Sequence, residues 1–229
     1  MKISTASRLA LLLSLLVSAS LAQAASTLSI QFVGEDPNAP VLSTSFSDDY
    51  ATGRLSYVDA GGRSFYAYCV ELQQDFAPAS LGMKTYTVGS FSAPQATALQ
   101  GLFSTSYAGL SNAYQQAAFQ VAVWEITHEK ESSTFNVSAG NGGFFFAGLS
   151  DVSAAGAADL NANFTNQVNS YLAAASDYQG PARYQLTRLD HKGFQDLVVA
   201  TAVPEPSSYA LLLCGLAGMG LIVRRRTVR

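Results

Sequence analysis

Two apolar segments at opposite ends of the chain leave only the residues between them to fold in water. At the N-terminus, Lys2 and Arg8 precede the apolar run Leu9–Val17, and Ala22-Gln23-Ala24 follows. A charged head, a short apolar middle and a small-x-small site predict a Sec-type signal peptide over residues 1–24, cut after Ala24. At the C-terminus, Ser207–Val223 holds 17 residues without a charge. At about 1.5 Å per residue this is the short end of a membrane-spanning helix. Pro204 and Pro206 bar a helix from extending N-terminally, and Arg224, Arg225 and Arg226 end the apolar run on the other side. Arginines beside a span favour the cytoplasmic face, which puts the body of the protein outside.

The order Val203-Pro204-Glu205-Pro206, apolar span, arginine cluster closely resembles the PEP-CTERM sorting signal of Gram-negative, exopolysaccharide-producing bacteria. The resemblance implies exosortase as the processing partner. It also implies transient anchoring in the inner membrane by a helix over 207–223, then release to the cell surface or a biofilm matrix. An ordinary single-span anchor is the alternative. The expected organisation is a signal peptide over 1–24, an exported domain over 25–200 and a sorting signal over 201–229.

The exported part is rich in Ser, Ala, Gly, Tyr, Phe and Gln and poor in charge. The chain's net charge is −3, and no basic cluster lies outside the tail, which excludes nucleic acid as a partner. Of two cysteines, Cys214 lies in the apolar tail. Cys69 is then alone in the exported part, with no internal disulfide partner. A buried small hydrophobe, an intermolecular disulfide, a catalytic nucleophile and a capped thiol all account for such a residue.

Cys69 lies in the aromatic, strand-like segment Arg63–Glu71, within Tyr68-Cys69-Val70. Fifty-one residues later comes Phe119-Gln120-Val121-Ala122-Val123-Trp124. An aromatic-Cys-Val segment followed by Gln-x-Ala-Val-Trp resembles the thioester domains of bacterial surface adhesins. In that family a cysteine sulfur and a glutamine side-chain carbonyl join as an internal thioester. Carried over, the resemblance implies Cys69 and Gln120 as the bonded pair, with Tyr68 and Trp124 around them. It covers about Tyr57–Ile126, with weaker support to about Ala200. A thioester turns an unreactive carboxamide into an acylating group, and intramolecular closure replaces collision with effective molarity. Aromatic walls would exclude water. A surface amine or hydroxyl of an unknown protein or polysaccharide would then attack, so the chain acts as a single-use tether rather than an enzyme. A non-reactive matrix component and a secreted cysteine hydrolase are the competing readings.

The pattern of residues predicts an α+β fold. Thr27–Val33, Gly53–Asp59, Arg63–Val70, Lys84–Val88, Arg183–Leu189 and Phe194–Ala200 read as strands. Ala93–Phe103, Asn112–Thr127 (N-cap Ser111) and Ser153–Ser176 read as helices. Phe119, Val121 and Val123 also alternate, which leaves a strand open there. The expected body is β-sandwich-like, with helices inserted after the strand bearing Cys69. Two histidines and one cysteine without clustering predict no metal site, and nothing calls for a cofactor. His128 reads as a surface residue at a helix end. Glu71, Glu125, Glu129 and Glu131 read as a solvated set.

Overall fold

The computed structural model describes residues 26–129, 134–150, 152–153, 155–204, and the single residues 214, 216 and 219. Nine strands and three helices follow in chain order. They are β1 Thr27–Glu35, β2 Val41–Thr44, β3 Tyr50–Ala51, β4 Leu55–Asp59, β5 Ser64–Cys69 and β6 Lys84–Gly89. Next come α1 Ala93–Ser106, α2 Ala113–His128, β7 Phe146–Leu149, α3 Ala157–Ser176, β8 Tyr184–Asp190 and β9 Leu197–Ala202.

Six strands close a barrel in the order β1-β4-β5-β9-β8-β6, all pairs antiparallel. The expected β-sandwich is therefore a barrel. A sandwich keeps open edges, whereas here β6 pairs both β1 and β8 and no edge of that sheet remains unpaired. Its strands alternate inward and outward residues: β4 reads buried, half-buried, buried along Leu55–Asp59. β2, β3 and β7 form a second, three-stranded sheet in the order β3-β2-β7. Their two to four residues each are too short to show periodicity, and none was expected from sequence. The helices come after β5, which bears Cys69, as expected, with β6 between it and α1.

α2 explains its own ambiguous pattern. Every residue from Gln116 to Ile126 is buried, as in a helix walled in on all sides, where no single apolar face is needed. α1, α3 and β5 pack around it. Asn112, not Ser111, caps it: the Asn112 side chain accepts the Gln115 N–H at 2.9 Å. α1 starts on Ser92 with Pro94 in its first turn and a reciprocal cap through Gln95. A Cβ on Gly101 of α1 would come within 2.2 Å of the Ala175 carbonyl oxygen of α3, so glycine is what lets these helices approach so closely.

Among the described residues no helix is long and apolar enough to cross a membrane. The expected signal peptide over 1–24, and most of the expected span over 207–223, lie outside the described residues. So do Glu205, Pro206 and Arg224–Arg226; Pro204 is exposed.

Candidate functional site

Cys69 is the last residue of β5, and its environment is set by three neighbours: β9, α2 and the turn before β9. Across β5 and β9, Tyr68 is opposite Val198 and Cys69 opposite Leu197. Alternation turns Tyr68 and Cys69 to opposite faces of the strand. Tyr68 packs on Phe119 and Phe103, with ring centres 4.9 and 6.0 Å away. Cys69 is 4% exposed.

α2 presents a stripe spaced four residues apart to this strand end: Gln116, Gln120, Trp124. The Tyr68 hydroxyl donates to Gln116 Oε1. Gln120 makes a two-point bond with the Cys69 main chain. Its Oε1 accepts the Cys69 N–H and its Nε2 donates to the Cys69 carbonyl, each at 2.8 Å. Gln120 thus stands beside Cys69 as expected, but both ends of its amide are spent on backbone. These two bonds replace the partners that β5 loses where its pairing ends.

The sulfur meets a different glutamine. Cys69 Sγ lies 2.6 Å from Gln195 Oε1. The expectation paired this sulfur with Gln120; the structure sets Gln195 against it instead. Gln195 precedes β9 in Phe194-Gln195-Asp196-Leu197-Val198, and the register that sets Cys69 against Leu197 carries it to the sulfur. Its main chain is fixed: the Gln195 N–H donates to the Asp75 carbonyl at 3.0 Å. The turn before it is held by Arg188, which reaches Asp190 Oδ1 at 2.5 Å and Asp196 Oδ2 at 2.9 Å. Gln195 Nε2 donates to Tyr50 Oη at 3.0 Å and to the Glu71 carbonyl at 2.8 Å. Sequence reasoning missed Gln195, Tyr50 and the Glu71 main chain. The one available signal was an aromatic-Gln pair at the start of a strand.

Tyr50, Leu55, Cys69, Phe76, Gln120, Trp124 and Gln195 are among the residues lining a cavity of about 10 Å³, at the limit of what holds a single water. The Trp124 ring edge meets Tyr50 at 5.7 Å between centres. Burial pushes the Cys69 thiol well above its ordinary range, and the carboxylates of Glu35 and Glu71 push it the same way. That direction is opposite to the lowered value of an activated cysteine nucleophile. His128 is no partner for it. The ring is wedged half-buried between Phe46 and Phe144 rather than on the surface, and its Nδ1 lies 3.0 Å from the Trp124 carbonyl. Among the described residues no group of three or more His, Cys, Asp or Glu side chains gathers as a metal would require.

Glu125, expected in solvent, is fully buried. Burial raises its carboxyl to about 7, opposed by the Asn136 N–H that it accepts. The folded state then binds a proton that the unfolded chain releases near 4.5. This contribution to stability is complete below that value and is lost as pH rises through about 7. Melting temperature should fall between pH 5 and pH 8, and Glu125→Gln should flatten that fall. The difference between the two proteins isolates Glu125 from His128, whose burial lowers its own value.

Residues 202–226 match the PEP-CTERM protein-sorting motif. That motif marks the chain for export and sorting to the cell surface. No curated protein matches the chain. Among solved structures, the fold is similar to the N-terminal domain of the Streptococcus pyogenes pilus tip adhesin Cpa. The identity there is 17%, the TM-score 0.46, and the match covers 81% of this chain and 97% of that one. It is also similar to the N-terminal thioester domain of the fibronectin-binding protein SfbI from Streptococcus pyogenes, at 16% identity and TM-score 0.41, over 76% and 98% of the two chains. A thioester domain of a surface protein from Clostridium perfringens matches at 10% identity and TM-score 0.41, over 78% and 100%.

Proposed function

We propose that this protein is an exported surface tether that attaches covalently to a partner through an internal thioester between Cys69 and Gln195. The observation that carries the reading is the 2.6 Å separation of Cys69 Sγ and Gln195 Oε1. With a C=O bond of about 1.23 Å, a C–S bond of about 1.8 Å and an angle near 120°, a thioester holds its sulfur and oxygen about 2.6 Å apart. A thiol hydrogen-bonded to a carbonyl has no need of so close an approach. The neutral, desolvated setting supports the same reading. Burial opposes a thiolate, but a thioester carries no charge and meets no such penalty. Gln120 holds the Cys69 main chain still, and Trp124 helps close the cavity against water.

A surface amine or hydroxyl of a protein or polysaccharide attacks the Gln195 carbonyl carbon, the thiol departs, and an amide or ester remains. One bond forms per molecule, so the protein is a tether and not a turnover enzyme. The tail is processed by exosortase from an inner-membrane stage, leaving the domain at the cell surface or in the matrix.

Intact mass tests the site. Closing the thioester expels ammonia, so the exported protein should be about 17 Da lighter than its processed sequence. A full mass with a titratable Cys69 thiol overturns the thioester and leaves the non-reactive matrix and cysteine-hydrolase readings. The tail is tested separately. The mature C-terminus should fall near Pro204-Glu205-Pro206 in a host with exosortase, while an Arg229 terminus in hosts with and without the protease would leave a plain anchor.

A further inference from the structure

Closing and opening a thioester both require protons to move, here beside the buried side chains of Cys69 and Gln195. The amide nitrogen of Gln195 leaves only as ammonia, so it must gain a proton as its bond to carbon breaks. The cavity around Cys69 has room for about 10 Å³, at the limit of one water. With so little room for water, the protein groups in contact with Nε2 are the first to ask for that proton. Glu71 gives its main-chain carbonyl to Gln195 Nε2 at 2.8 Å, an acceptor without a proton to donate. Its carboxylate takes the Asp196 N–H at 3.2 Å. His128 is directed to the Trp124 carbonyl. Gln120 is spent on the Cys69 main chain. Among the described contacts of Nε2, the one group that carries an exchangeable proton is the Tyr50 hydroxyl, 3.0 Å away.

We propose that Tyr50 is the general acid–base of this site, resting on the Cys69–Gln195 reading above. In closure, Cys69 Sγ forms a bond to the Gln195 carbonyl carbon, and the thiol proton passes to the Oε1 that it already faces. Nε2 takes the Tyr50 hydroxyl proton, the carbon–nitrogen bond breaks, and ammonia leaves. The proton held on Oε1 makes good the one Tyr50 gave up as the carbonyl re-forms. The net change is loss of one ammonia, with no oxidant or co-reactant. Attack by a primary amine is the same path reversed, with the amine in the place of ammonia. Its nitrogen occupies the position vacated by Nε2, between Tyr50 Oη and the Glu71 carbonyl. Tyr50 takes its proton, and the departing sulfur regains one.

Two features of Tyr50 suit this role. Burial and the carboxylates of Asp75 and Glu35 push the phenol well above its ordinary range, against the Gln195 hydrogen bond that lowers it, so the resting group is a hydroxyl with its proton in place. Its ring is braced by Trp124 on one side and its backbone by pairing with Leu42 of β2. The second sheet, which the barrel does not need for closure, thereby delivers the hydroxyl to the site.

The test follows methylamine uptake by the exported protein, read as adduct mass against time, for wild type, Tyr50→Phe and Tyr50→His. Phenylalanine keeps the ring and removes only the hydroxyl. In Tyr50→Phe the growth of the mass deficit and the uptake by its closed fraction should each be about 100-fold slower, the usual scale of such a group, with an unchanged melting temperature. Tyr50→His, which again carries a proton, should recover at least a tenfold part of the loss. A folded Tyr50→Phe that reacts as fast as wild type overturns the role of Tyr50 and leaves the thioester standing. A wild type of full mass overturns both. Should Tyr50→Phe fail to fold, Tyr50→His decides: a folded, thioester-bearing but inert protein overturns the proposal, and a reactive one supports it.

Discussion

Gln195→Ala will leave Cys69 as a free thiol and abolish the amine adduct, while Gln120→Ala will weaken the fold yet still form the adduct. The two glutamines have the same side chain and both touch Cys69, so the contrast isolates geometry. Gln195 faces the sulfur at 2.6 Å, and without its carbonyl carbon there is no acyl group to transfer. Gln120 holds the Cys69 N–H and C=O. Its loss leaves two buried main-chain groups unpaired, at about 1–3 kcal/mol each, and loosens the strand end that aims the sulfur. Adduct mass after methylamine treatment, mapped to a peptide, reads both variants. An adduct that survives Gln195→Ala and vanishes in a folded Gln120→Ala would return the acyl role to Gln120.

Trp124→Ala should cost about 3–5 kcal/mol of stability, the usual range for deleting a fully buried aromatic. It should also raise the rate at which the thioester is hydrolysed. The ring is 0% exposed, sits one helical turn from Gln120 on the same face of α2, and walls the cavity that also holds Cys69 and Gln195. Removing it opens space for water beside the carbonyl. Denaturant unfolding gives the first effect. The second is the decay of the mass deficit in amine-free buffer, compared with wild type. Decay at the wild-type rate would show that Trp124 supports the fold without sheltering the bond.

Most of the element boundaries were legible because they rest on local chemistry. The strand signals at Thr27–Val33 and Lys84–Val88 and the helix over 112–127 reflect alternation and capping within a few positions. The three short strands escaped because two to four residues carry no period. Pairing with one another is what makes them strands, and only the fold brings Leu42 opposite Tyr50 and Leu149. Glu125 was misread for a related reason. A helix enclosed on every side tolerates a carboxyl wherever a main-chain N–H meets it, here that of Asn136, and no spacing within α2 announces that contact.

The sequence by itself determined the sorting tail, the solitary cysteine of the exported part and the mixed strand and helix content, while the placing of Gln120 beside that cysteine came from the family resemblance. The tail and the element signals are written in residues near one another along the chain. That Gln195 and not Gln120 meets the sulfur was decided by the tertiary structure alone. Gln195 is 126 residues from Cys69, and no short-range pattern links them. The antiparallel register of β5 and β9 sets Cys69 opposite Leu197. The hydrogen bonds from the Val70 N–H to the Asp196 carbonyl, and from the Gln195 N–H to the Asp75 carbonyl, then turn the chain so that the Gln195 amide meets the sulfur. Barrel closure fixes that register, because a slip of one residue would reverse which face every side chain of β9 presents.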